Sequence, residues 1–195
     1  MKLDVVFSGV GGQGVVVLSD IYCEAAMLDG FDVAKAEIHG MAQRGGSIVA
    51  YARIGDTVDS PLIETGKADA IVGFEILETA RALPMLKKNG TVIVNTKYIP
   101  PNSTVVGAKP QKPQDLIALL KSKARVYEVD GAGIAEKLGN MLVVNTILLG
   151  ALSALPEIPV KCESFQQAIA GRIKEKYINL NLKAFDLGRK SVLLS

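Results

Sequence analysis

The residues best placed for chemistry in this sequence are glycines. Gly9-Val10-Gly11-Gly12-Gln13-Gly14 fits the pattern G-x-G-x-x-G. It follows a strand-like apolar run and precedes a segment of helical period, the setting in which that pattern carries meaning. Glycine there lets the chain turn tightly, brings backbone N–H groups close to an anion and lets the helix pack on the sheet, while the helix N-terminus favours negative charge. A dinucleotide site of this kind also wants an acidic residue at the end of the second strand, and Glu37 stands at about the right distance. The plainer reading is that the glycines only shape the strand-to-helix crossover.

A second glycine-flanked string, His39-Gly40-Met41-Ala42-Gln43-Arg44-Gly45-Gly46, follows the second strand-like run. In a doubly wound sheet it belongs at the carboxyl ends of the strands, beside the first turn. Arg44 offers a planar fork of donors to a phosphate, a carboxylate or a partner surface, and Gly45 and Gly46 remove bulk from its approach. His39 is the only histidine. With no carboxylate or nucleophile set beside it by the local sequence, it reads as a structural hydrogen-bonding group. Cys23 and Cys162, the only cysteines, are far apart and lack CxxC spacing. They suggest neither a disulfide framework nor a zinc site, and they fall short of the about four thiolates that an iron–sulfur cluster needs. Cys23 falls mid-helix near an apolar face and reads as a small buried residue. Glu75 and Glu78 begin a helix, where the dipole favours carboxylates whatever the function. Asn95, at a strand end, and Ser60-Pro61, in a loop, are expected at the ligand edge.

These groups need a frame, and the hydrophobic pattern supplies one. Leu3 to Ser8 predicts a buried strand. Val15, Leu18, Tyr22, Ala25 and Leu28 recur at helical spacing up to Gly30, which stands as a C-terminal cap. Strands are predicted at Phe31 to Ile38, Ser47 to Ile54, Ala68 to Phe74, Thr91 to Asn95 after an Asn89-Gly90 turn, and Ala124 to Val129. Helices are predicted at Glu75 to Lys88 and Gln114 to Lys123. Pro100, Pro101, Pro110 and Pro113 mark a long irregular connection. Met141 to Leu155 reads as an apolar helix, and Ile173, Tyr177, Leu180, Ala184 and Leu187 as the stripe of a final helix packed on the sheet or on a partner. The fold class is α/β: a doubly wound, mostly parallel, Rossmann-like sheet with additional C-terminal helices.

Composition narrows the function classes. With 195 residues, 49% hydrophobic, the chain fits a single domain, 1–195, with a substantial core. A net charge of +2 without Lys/Arg blocks leaves no footprint for nucleic acid. The longest apolar stretch, Met141 to Leu155, is interrupted by Asn145, Thr146 and Ser153 and falls short of the ~20 residues that cross a bilayer, so no membrane anchor is expected. Met1-Lys2 leads directly into a strand-like run, so no sorting peptide is expected and the cytoplasm is the expected compartment.

Taken together, the two glycine strings resemble a known family, the gamma subunits of pyruvate and related 2-oxoacid:ferredoxin oxidoreductases. Gly9 to Gly14 is similar to that family's opening signature and Arg44-Gly45-Gly46 to its second. The fuller string from His39 to Gly46, with Ser60-Pro61 and Gly73-Phe74-Glu75, resembles the indolepyruvate branch, where this small subunit is called beta. The likeness covers nearly the whole chain and is looser beyond Pro101. It implies an oxygen-sensitive enzyme that decarboxylates a 2-oxoacid, passes two electrons to ferredoxin and delivers the acyl group to coenzyme A. Thiamine diphosphate and the iron–sulfur clusters would lie on a large catalytic partner subunit, in keeping with the lack here of a Gly-Asp-Gly thiamine signature. No cofactor would be tightly bound to this chain. Gly9, Gly11, Gly12, Gln13, Gly14, Arg44, Gly45 and Gly46 would face coenzyme A or the large subunit, without catalytic or metal-binding residues. Two other readings stay open: a free-standing NAD(P)-dependent dehydrogenase using Gly9, Gly11, Gly14 and Glu37, and a nucleotide-binding regulatory protein.

Overall fold

The computed structural model describes residues 1–40, 46–100 and 111–194; Arg44 and Gly45 lie outside the described residues. The chain runs β1 (Lys2–Val10), α1 (Val15–Leu28), β2 (Asp32–His39), β3 (Ser47–Gly55), β4 (Ala68–Gly73), α2 (Ile76–Ala82), β5 (Leu86–Asn95), α3 (Pro113–Lys123), β6 (Arg125–Val129), α4 (Gly131–Lys137), α5 (Val144–Ser153), α6 (Cys162–Arg172) and α7 (Glu175–Leu193). The six strands form one sheet in the order β2-β3-β1-β4-β5-β6.

The sheet is mostly parallel, as the sequence predicts, with one reversal. β3 pairs antiparallel with both β1 and β2, while β1, β4, β5 and β6 pair parallel. Only seven residues join β2 to β3, too few for the crossover of about a dozen that parallel neighbours need, so the chain returns as a hairpin. β3 thereby separates β2 from β1.

Alternation along the strands sends side chains into two cores. Val5 and Phe7 of β1 join Leu18, Tyr22, Ile147, Phe165 and Phe185 on the face covered by α1, α5, α6 and α7. Val6, Ile71, Val92 and Val94 join Leu77, Leu116 and Leu120 beneath α2 and α3. Phe7, Tyr22, Phe165 and Phe185 stack in series at centroid distances of 5.7, 6.2 and 5.8 Å, which ties β1 to α7 through tilted ring contacts. The stripe predicted for α1 holds as far as Ala25, and Leu28 is half exposed.

Several predicted boundaries move. The helix predicted to reach Lys88 ends at Ala82, because Leu83–Met85 is a 3-10 turn with Pro84 in it and proline cannot donate to the helical ladder. Asn89-Gly90 lies inside β5 instead of before it. Ala68 faces Leu86 but Ala70 faces Thr91, so the intervening residues of β5 bulge, with Asn89 at φ 63. Met141–Val143 is a 3-10 turn leading into α5, and Ile173 is the cap of α6, not part of α7. Helices α4 and α6 have no counterpart in the sequence reading. No helix among the described residues is long and apolar enough to cross a membrane.

A cleft at the glycine turn

β1 ends in the glycine turn, and the turn is locked from within. Gln13 folds back so that its Oε1 accepts from Val10 N at 2.7 Å, and its Nε2 donates to the Phe74 carbonyl at 3.4 Å. Asn95 Nδ2 donates to that same carbonyl at 3.0 Å, while Asn95 Oδ1 accepts from Gly131 N at 3.1 Å. The ends of β1, β4 and β5 and the start of α4 are thus tied around one carbonyl oxygen. This confirms the placement of Asn95 at the carboxyl edge.

The glycines divide by role. A Cβ on Gly9 would lie 2.8 Å from Phe74 Cβ and 2.9 Å from Val15 Cγ2, so Gly9 permits the close packing of helix on strand. Gly11 N donates to Gly46 O at 2.9 Å, which uses its proton within the protein. Gly12 and Gly14 hold φ of 97° and 87°, where other residues are strained. With Gln13 they line a cleft of about 450 Å³ at the carboxyl edge of the sheet. Gly46 therefore reaches the first turn as predicted.

Across the cleft stand Asn95, Lys97 and Ile99 from the end of β5, and Met141, Leu142 and Asn145 from the entry to α5. α1 opens at Gly14 without a side-chain cap and with no acidic residue in its first turn, so the helix itself leaves the positive end of its dipole uncompensated. The cleft lies between β1, whose helix crosses one face, and β4, whose helix crosses the other, the switch point where ligands enter α/β sheets.

Glu75 and Glu78 begin α2 as predicted, with a further task. The fully buried Glu75 carboxylate accepts from Leu77 N, Glu78 N and, at 3.3 Å, Ile99 N. Ile76 N also donates to Lys97 O at 2.9 Å, and so α2 holds the segment that carries Lys97 and Ile99. Burial pushes the Glu75 carboxyl up, against the pull of those N–H groups. Glu78 accepts from Ser47 Oγ at 2.6 Å and from Arg81, anchoring the start of β3.

Three sequence readings need correction. Ser60-Pro61 lies at the opposite edge: the Ser60 carbonyl accepts from Arg53, whose guanidinium pairs with Asp4 at 2.9 Å near the start of β1. His39 does have a carboxylate beside it, Glu37 Oε2 at 3.0 Å, because residues two apart on a strand share a face. Glu37 cannot serve the glycine turn, since β3 intervenes and Lys35 and His39 occupy its oxygens. The Lys35 bond, against the effect of burial and with help from His39, holds the Glu37 carboxyl below the usual range. Cys23 is buried as predicted, and burial pushes its thiol up to about 12, which makes it unreactive.

An open α/β sheet with a glycine-turn cleft at its switch point is shared by many nucleotide-binding and oxidoreductase proteins, and comparison narrows the class. Residues 4–191 match the model of the pyruvate ferredoxin/flavodoxin oxidoreductase family. The chain belongs to that family, as a gamma-type subunit of a 2-oxoacid:ferredoxin oxidoreductase. It is 43% identical over 190 residues to the indolepyruvate oxidoreductase subunit IorB of Archaeoglobus fulgidus, covering 96% of this chain and 94% of that one. The keto/oxoacid ferredoxin oxidoreductase gamma subunit of Geobacter sulfurreducens superposes with a TM-score of 0.74 at 25% identity over 99% of both chains. A Magnetococcus marinus 2-oxoglutarate:ferredoxin oxidoreductase, whose structure holds 2-oxoglutarate, coenzyme A and succinyl-CoA, shares the fold with a TM-score of 0.75 at 18% identity, over all of this chain and 31% of that longer one.

Proposed function

We propose that this chain is the small subunit of an indolepyruvate:ferredoxin oxidoreductase and contributes the glycine-turn cleft to the coenzyme A site of the assembled enzyme. The observation that carries the substrate is the 43% identity to the Archaeoglobus fulgidus subunit along nearly the whole length of both chains. In the reaction a 2-oxoacid, coenzyme A and two oxidised ferredoxins give acyl-CoA, carbon dioxide, two reduced ferredoxins and a proton. Thiamine diphosphate and the iron–sulfur clusters belong to a large partner subunit. Two cysteines, one of them buried in α1, do not amount to the about four thiolates of a cluster, which supports that division.

The cleft supports a role in binding the acyl acceptor. It joins an uncapped helix N-terminus to apolar walls, and coenzyme A carries both phosphates and a long, weakly polar arm. The dehydrogenase reading loses its support with Glu37, which the intervening strand keeps from the turn.

Co-purification with the large subunit and indolepyruvate-dependent reduction of ferredoxin test the assembly and its substrate. Hydrogen exchange of the complex with and without coenzyme A tests the site. Protection of the amides from Gly11 to Val17 on adding coenzyme A is the expected result. Protection elsewhere only would remove coenzyme A from this cleft while leaving the subunit assignment intact.

A further inference from the structure

Asn145 is nine-tenths buried, with 9% of its surface exposed, yet only half of its amide is used. Its Oδ1 accepts from Thr146 N at 2.8 Å. Because that partner is a donor, the oxygen must face it, and the amide's orientation is fixed. Nδ2 has no acceptor among the described residues. It lines the cleft beside Gly14, 3.0 Å from where a Cβ would stand on that glycine. Its nitrogen is open to the cleft, so its protons are available to an acceptor on a ligand there.

Lys97 lines the same cleft and forms no ion pair among the described residues. No Asp or Glu is among the described residues that line the cleft, so none of these neutralises the ammonium or the start of α1. An amide donor, a lysine and a helix N-terminus therefore act together at one end of the cleft. Val17, Ile99, Met141 and Leu142 give the rest an apolar surface.

We propose that Asn145 and Lys97 are ligand-binding residues that hold the phosphate or pyrophosphate group of a ligand whose remaining, less polar part lies along these apolar side chains. Asn145 donates through Nδ2 and so fixes the anion at the seam between the glycine turn and α5. Lys97 supplies charge from the β5 side. The inference rests on the reading of this cleft as a ligand site, but it does not need the ligand to be coenzyme A.

The probes are inorganic pyrophosphate and ADP, titrated calorimetrically into the assembled complex and into the full-length subunit. Asn145→Asp is the decisive variant. Its carboxylate keeps the bond to Thr146 N and suits the first turn of α5, so the melting temperature should hold, while an oxygen replaces the donor that faces the anion. Binding of both probes should weaken by roughly tenfold or more. Lys97→Gln should weaken it by roughly tenfold and lessen its dependence on salt. Unchanged pyrophosphate affinity in Asn145→Asp would overturn the proposal. So would competition by a simple carboxylate such as phenylacetate in a protein that ignores pyrophosphate. If pyrophosphate binds and both variants lose it while coenzyme A protects nothing, the anion site stands and the coenzyme A reading falls. If coenzyme A protects the cleft while both variants bind the probes unaltered, the coenzyme A reading stands and the anion site falls.

Discussion

A Cβ on Gly188 would stand 1.9 Å from the carbonyl oxygen of Ile147, and one on Gly150 would stand 2.0 Å from the carbonyl oxygen of Phe185. α5 and α7 therefore meet backbone against backbone, each through a glycine of its own. Gly188→Ala should gain about 1 kcal/mol in helix propensity and lose more than that in forced separation, since overpacking costs about 1–3 kcal/mol or more where backbone cannot yield. The expected outcome is a lower urea midpoint with an unchanged m-value. An equal or higher midpoint would mean that the helices part more easily than their spacing implies.

Gln13 contributes to the turn through its own side chain, which accepts from Val10 N and reaches the Phe74 carbonyl. Gln13→Ala should cost about 1 kcal/mol, the worth of a typical internal hydrogen bond. It should also speed hydrogen exchange at Val10 while leaving the amides of β6 unaffected. Uniform acceleration across the sheet would instead indicate global destabilisation without a local lock.

Acid stability should depend on Asp29, which follows α1 and accepts from Lys161 N and Ser164 Oγ, each at 2.6 Å, at the start of α6. Burial alone would raise its carboxyl, but the bonds from Ser164 and Lys161 outweigh that effect and hold it below the usual range. A depressed carboxyl stabilises the folded state above its unfolded value, about 3.9, and that contribution is lost as pH falls through the lower folded value. Asp29→Asn should therefore lower stability near neutrality by about 1–2 kcal/mol and show a shallower decline below pH ~4. Denaturant melts from pH 7 to pH 3 would reveal an unchanged slope if Asp29 played no part.

NADH should not bind. The acidic group that would hold a ribose is committed to Lys35 and His39 on the far side of β3. Fluorescence titration of the purified chain measures this directly, and saturable transfer at micromolar NADH would restore the dehydrogenase reading.

Much of the fold was legible in the sequence because burial imposes a period. The strands at Leu3, Ser47, Ala68 and Ala124 and the helix from Val15 were visible as runs or stripes of apolar residues. The hairpin was also in reach, since seven residues between two strands cannot make a crossover. α4 and α6 were not, because α4 is short and rich in glycine and α6 mixes polar residues into its buried side. In the site, the glycine turn could be read from type and spacing alone. Asn145 could not: within an apolar run it looked like an interruption, and only the packing of α5 on Gly14 brings its amide to the cleft.

The insertion of β3 has a consequence for how the chain behaves among its own copies. It makes β2 an edge of the sheet, where one side of the backbone has no neighbouring strand among the described residues. Lys35, Glu37 and His39 occupy alternate positions along that edge, and Asp20 links Lys35 to Arg172 on α6. The charges of Lys35 and Glu37 and the polar ring of His39 must be stripped of water before another strand can align, so they oppose growth of the sheet from one molecule to the next. Strand reversal thus leaves the molecule with an aggregation-resistant flank.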